Sequence, residues 1–242
     1  MKKSLLLPLA ALLMATMACQ TIMDPVSDSS ELDPFDDGSS FATESIFEGE
    51  ATTPADQGDG QVLLEDDFSN PASGWEVGDY DSGSVGYTSD AYSVISLGDS
   101  DFMWGVAFRD FDDVVIEVEA EQVRAPANDN NAYGVMCRVQ DNGDGYMLRV
   151  SGDGFYAIHK WSNDELVSLV DWTTSEVIRL GNNTNKIRAI CDGSDLILEV
   201  NGERLATAQD QEFSSGDVAL SATSFEESPT EVHFDNLVVT AP

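Results

Sequence analysis

The chain has 242 residues, with 11 Lys+Arg against 45 Asp+Glu and a formal net charge of −34. That length holds one full β or α/β domain or two small ones, and a 42% hydrophobic content excludes a wholly disordered chain. So acidic a surface repels phosphate instead of releasing counter-ions from it, which excludes nucleic acid and argues against basic-patch docking on anionic lipid.

Lys2 and Lys3 open the chain, and an apolar run follows from Leu5 to Met14, broken only by Pro8. The run is too short to cross a bilayer as a mature helix, and small residues follow it, as in a secretory signal. Thr16-Met17-Ala18-Cys19 then resembles a bacterial lipobox, whose cysteine takes the lipid and becomes the new N-terminus. Thr16 stands where such motifs usually carry Leu. The resemblance implies a lipoprotein signal peptide over residues 1–18 and lipidation at Cys19. It also implies a lipid anchor in the bacterial cell envelope, facing the outside or the periplasm. Processing there removes two lysines and no acid, leaving nine bases against 45 acids. No later apolar run approaches the roughly 18 residues of a membrane helix, so anchoring rests on lipid chains at about 0.8 kcal/mol per buried CH₂.

From Gln20 to Gln61 there are eleven acids and no Lys or Arg. Phe35, Phe41, Ile46 and Phe47 are scattered without a period, so residues 19–61 read as a disordered, self-repelling acidic linker. A partner-binding acidic tail is the alternative.

Beyond Gln61 the pattern changes to short β-branched and aromatic runs. Residues 114–120, 135–139, 147–150 and 196–200 alternate with period two, and 217–221 and 232–234 continue the series. Between them stand turn clusters such as Asp141-Asn142-Gly143-Asp144-Gly145, Ser151-Gly152-Asp153-Gly154 and Asn201-Gly202, where Asn and Gly accept positive φ. About a dozen strands without an amphipathic helix predict an all-β antiparallel sandwich over residues 62–242, of jelly-roll size. Setting Cys19 aside leaves Cys137 and Cys191, an even pair in a secreted chain, and predicts a disulfide between two strands. No CxxC or Cys/His cluster marks a structural zinc site.

Several segments resemble the concanavalin A-like lectin/glucanase superfamily, on the branch of laminin-G-like jelly rolls and the 3-keto-disaccharide hydrolase domain. They are Glu65-Asp66-Asp67-Phe68 with Gly74-Trp75, and Asn131 to Val135 leading to Arg138. Tyr146 to Val150, Gly154 to Ile158, Asn185 to Arg188 with Leu196 to Gly202, Gly216 to Leu220 and Phe234 to Val238 complete the set. These short motifs imply architecture, and no catalytic set of that branch carries over residue by residue. The resemblance leaves a loop-held calcium ion open, without naming its ligands; no other cofactor is implied.

Glu117, Glu119 and Glu121 share one face of a predicted strand, successive residues about 6.6–7 Å apart. Laminarinase-type relatives carry acid, Asp and acid on one strand, which makes these three the candidate carboxylates of a retaining glycosidase. Glu119 stands where Asp is expected, however, and ordinary alternation also explains the run. Asp141 to Gly145 lacks the register of an EF-hand loop and reads as a hairpin turn. Trp75, Trp104, Trp161 and Trp172, with Tyr80, Tyr87, Tyr92, Tyr133, Tyr146 and Tyr156, are material for stacking on sugar rings or for filling a core. Trp161 and Trp172 flank a polar stretch and lead the ligand-binding candidates, with Tyr146 and Tyr156; Trp75 reads as packing. His159 and His233 are lone strand histidines without a partner set, and no nucleophile elbow or phosphate loop occurs. The expected function is a surface binding module for glycan or another extracellular ligand. A glycoside-processing enzyme and a structural or adhesive envelope component are the alternatives.

Overall fold

Alternating β-branched and polar residues form strands because one pleat face can be buried while the other meets water. The structure, a computed structural model, describes residues 60–242; the signal segment, Cys19 and the acidic stretch to residue 59 lie outside the described residues. Fifteen strands occur among the described residues. The first five are β1 (Val62–Asp66), β2 (Gly78–Tyr80), β3 (Gly83–Thr88), β4 (Ala91–Ser96) and β5 (Phe102–Phe111). Then come β6 (Val114–Arg124), β7 (Asn131–Val139), β8 (Gly145–Val150), β9 (Phe155–Ser162) and β10 (Glu165–Thr174). The last are β11 (Asn185–Asp192), β12 (Asp195–Val200), β13 (Glu203–Gln209), β14 (Gly216–Ser224) and β15 (Thr230–Thr240).

One sheet runs β13-β12-β11-β6-β15-β4-β3-β2, with β1 as its ninth strand, also on β15; the other runs β10-β9-β8-β7-β14-β5. The eleven residues of β15 serve two partners on one edge. Thr230 to Phe234 pair with β4 and Leu237 to Thr240 with β1, with Asn236 at φ 52° between them. Tight two-residue turns at Asn163-Asp164 and Asn201-Gly202 have positive φ at both positions, the backbone twist a right-handed hairpin needs. The result is an all-β antiparallel jelly-roll sandwich, as the sequence implied.

Ile116, Val118, Ala189 and Phe234 of the nine-stranded sheet pack on Tyr133, Val135, Leu148, Ile158 and Leu220 of the other. The Ile, Val, Leu and Phe side chains among them each contribute about 1.5–3 kcal/mol on full burial. Trp75 belongs to this core, edge-on to Phe68 at 5.4 Å. Cys137 of β7 and Cys191 of β11 are disulfide-bonded through it, so the predicted bridge staples sheet to sheet.

Two bulges flank β14. Both neighbouring ladders shift between Asp217 and Ala219, where Phe108 of β5 and Arg138 of β7 take φ 56° and 54°. The bulge re-aims Arg138 from the sheet to the end of the sandwich. There its Nε donates to Asp112 O, its Nη1 to Gly193 O and Phe213 O, and its Nη2 to Asp113 Oδ1 at 2.8 Å.

Candidate functional site

Strand parity sets up a second, outward face on the six-stranded sheet. Along β8, Tyr146, Leu148 and Val150 enter the main core, so Met147 and Arg149 point the other way. Met147 nevertheless is buried, because Met136, Val139 and Ala219 lie beside it and Phe102, Trp104 and Trp161 cover the group. Trp104 reaches across from β5 to the turn before β8. A Cβ on Gly143 would stand 2.8 Å from its Cζ2, so only glycine fits beneath the ring there.

Arg149 lies at the centre of this face, paired across the ladder with Gly134. Gly134 is enforced by close packing, since a Cβ there would meet Leu148 O at 2.4 Å. The Arg149 guanidinium carbon is 5.9 Å from the Phe102 ring centre and 5.6 Å from that of Trp172. Its Nη2 is 3.1 Å from His159 Nδ1. The His159 ring in turn touches Trp172 at 5.3 Å, Trp172 meets Phe225 at 6.2 Å, and Phe102 stacks on Trp104 at 5.0 Å. An aromatic stripe therefore runs from Phe225 through Trp172 and Phe102 to Trp104, with Arg149 and His159 set into it. Beside Phe225 in the chain, Glu226 and Ser228 line a shallow depression of about 350 Å³ with Pro126, Ala127 and Asn128.

Burial, then the neighbouring Arg149 charge, push the His159 pKa down to about 4 against a smaller opposing pull from Asp171. The imidazole is neutral at pH 7, and Nδ1 accepts the Arg149 hydrogen bond. Burial lowers Arg149 to about 10, so it stays charged. The unfolded chain protonates His159 near pH 6.5 and the folded one only near 4, so the unfolded state binds more protons between these values. Stability is expected to fall as pH drops through that window, and His159→Gln to flatten this limb in urea titrations from pH 7 to 4.

The structure places the other candidates elsewhere. Tyr146 is in the core, its hydroxyl donating to Asp210 Oδ1 and accepting from Phe213 N; burial and the Asp210 bond push its pKa up to about 12. Tyr156 is half-buried and packs on the core. Glu117, Glu119 and Glu121 do share a face, but it is the outward face of the nine-stranded sheet, since Ile116, Val118 and Ala120 fill the core. There Glu117 pairs with Lys186 and Arg188, and Glu119 accepts from Asn236. His233 pairs with Glu231 on the same sheet. Among the described residues no group of three or more His, Cys, Asp or Glu is arranged to hold a metal ion. Trp161 and Trp172 belong to the aromatic face; Phe102, Phe225 and Arg149 join them without having been singled out in the sequence. The signal for Arg149 was parity, two residues after Met147 in a strand whose alternate residues are core.

No protein-family model and no curated protein sequence matches the chain. Solved structures do match in fold. A carbohydrate-binding module from Bacillus subtilis is 16% identical with a TM-score of 0.53, over 70% of this chain and 96% of that one. A Bacillus licheniformis β-glucanase is 12% identical with a TM-score of 0.56, over 76% and 99%. A Bacillus subtilis protein of unknown function with a galectin-like fold is 10% identical with a TM-score of 0.57, over 75% and 96%. What the chain shares with these structures is the fold, a jelly-roll β-sandwich.

Proposed function

We propose that residues 62–242 form a carbohydrate-binding module, held at the bacterial cell surface by a lipid on Cys19 and the acidic linker of residues 19–61. The observation that carries the reading is the aromatic stripe on the outward face of the six-stranded sheet. Trp104, Trp161, Trp172 and Phe102 are each part-exposed there, around a charged and hydrogen-bonding centre. Flat rings of this kind stack on the apolar faces of pyranoses while polar groups between them bond hydroxyls. A carbohydrate-binding module and a β-glucanase among the fold neighbours support the same ligand class. Binding is favoured over glycoside hydrolysis because Glu117, Glu119 and Glu121 stand on the opposite sheet, with Glu117 tied to Lys186 and Arg188 and Glu119 to Asn236. The disulfide supports an oxidising compartment, in keeping with an exported protein.

A glycan array probed with the full chain is expected to show binding to a restricted set of glycans. Trp161→Ala and Trp172→Ala are each expected to weaken it about tenfold or more, with unfolding midpoints checked alongside. Absence of binding to every glycan, or binding indifferent to both substitutions, would overturn the reading.

A further inference from the structure

Two arginines of this domain are buried, Arg138 at 1% exposure and Arg149 at 4%, in opposite circumstances. Arg138 has the Asp113 carboxylate and three backbone carbonyls. Arg149 has one hydrogen bond, to a neutral imidazole, and its Nε has no acceptor. Residues 62–242 contain 34 acids and nine bases, so carboxylates are in large excess. Arg124, Arg138, Lys160, Lys186, Arg188 and Arg204 each hold one. Of the remaining three, Arg109 and Arg179 are exposed and solvated. Arg149 is thus the buried base left without a carboxylate among the described residues.

An uncompensated guanidinium out of water is strongly unfavourable, and the Phe102 and Trp172 rings return only part of that cost. A second polar atom on this face is in the same condition. Thr223 Oγ1 is buried without a partner, on the residue that faces Phe102 across the β14–β5 ladder. Folding alone gives no reason to withhold an acid from this spot in so acidic a chain. A ligand that brings its own negative charge does.

We propose that Arg149 anchors the carboxylate of an acidic sugar, which lies against Phe102 and Trp172 with Thr223 as a further hydrogen-bonding group. This rests on the carbohydrate-binding reading above and names the class of sugar it takes. A guanidinium presents adjacent N–H groups in a planar fork, the geometry that two carboxylate oxygens accept. Access runs past Trp172. That ring is part-exposed on β10, an edge strand, and falls within the register shift between Val170 and Thr173 of the β9–β10 ladder, where the regular pairing is interrupted.

Titration calorimetry of the full chain with matched trisaccharides tests this, each backbone supplied in uronate and neutral form (galacturonate and galactose, glucuronate and glucose, mannuronate and mannose). At least one uronate is expected to bind about tenfold or more tighter than its neutral counterpart. Arg149→Met is expected to abolish that preference by lowering the uronate's affinity to that of its neutral counterpart measured in the same variant, with an unchanged or raised thermal midpoint, since Met fills the space without a buried charge. Arg149→Lys keeps the charge but not the fork, and is expected to lose most of the preference; it also serves if the Met variant does not fold. Equal affinity for acidic and neutral sugars, or a preference that survives Arg149→Met, overturns the proposal and leaves the carbohydrate reading standing. A several-degree fall in midpoint in Arg149→Met, with no acid preference in the parent protein, assigns Arg149 a structural role instead. Binding of no sugar of either kind overturns both readings.

Discussion

Arg138→Met is expected to lower the unfolding free energy by about 3–5 kcal/mol, the cost of breaking a buried, hydrogen-bonded charge. The substitution keeps most of the side-chain volume, so the loss measures the polar bonds more than the packing. Those bonds reach three separate places: Asp112 and Asp113 between β5 and β6, Gly193 between β11 and β12, and Phe213 between β13 and β14. Asp113 itself is bound a second time, its Oδ1 accepting from Gly193 N. Arg138 also occupies φ 54°, a backbone region that costs a non-glycine residue about 1–2 kcal/mol. A strained position persists only where its surroundings over-determine it, and four hydrogen bonds from one guanidinium do so here. Urea unfolding of the full chain, followed by circular dichroism, checks the size. A loss below about 1 kcal/mol would mean that water replaces the guanidinium at those carbonyls.

The contrast with Arg149→Met, expected to be neutral or stabilising, separates a charge that holds the fold from one that the fold tolerates. Both residues lie on inner strands of one sheet and both are buried, so burial alone assigns neither role. Partners do. The loop that Arg138 holds at Phe213 is also fixed by Tyr146, and Lys160 reaches Asp210 and Glu212 within it. Nothing comparable gathers at Arg149.

How far the sequence went depended on whether a residue's signal was local. Alternation along Val114 to Glu121 placed three glutamates on one face, and the structure agrees. Which of two sheets that face belonged to is set by long-range pairing with β11 and β15, which no local period carries. Asn201-Gly202 was legible as a turn because its φ requirement is written in two adjacent residues. The disulfide was legible by elimination, with two cysteines left once Cys19 was set aside. The candidate site was legible only at its rim. Trp161 and Trp172 flank a polar turn and so stood out, whereas β8 is buried along its whole length and lacks a solvent face to mark Arg149 as unusual. His159 read as lone because its partner is ten residues away, on the neighbouring strand. Phe102 and Trp104 had the parity of one face, but nothing in their sequence said which strand lay beneath them.

The other large effect belongs to the cross-sheet bridge. Replacing both Cys137 and Cys191 by Ala is expected to cost about 4 kcal/mol, from the entropy restored to the unfolded chain when a 54-residue closure is released. The cysteines sit in different sheets, and between them the chain makes the whole β8–β9–β10 meander before crossing back to β11. The bridge therefore removes many open arrangements from the unfolded ensemble. Both are fully buried, so a thiol reductant has no path to the bond while the sandwich is closed. Dithiothreitol is expected to leave the native protein's midpoint unchanged over short exposure. Unfolding in urea with the same reductant present is expected to reproduce the double variant's lower midpoint after refolding. Rapid reduction in native buffer would show that the sheets part readily at β7 and β11. A double variant within about 1 kcal/mol of the parent would place the entropy cost in residual structure of the unfolded chain instead. Either result would move the weight of this fold from the covalent bridge to the packing of Val135, Leu148, Ile116 and Ala189 around it.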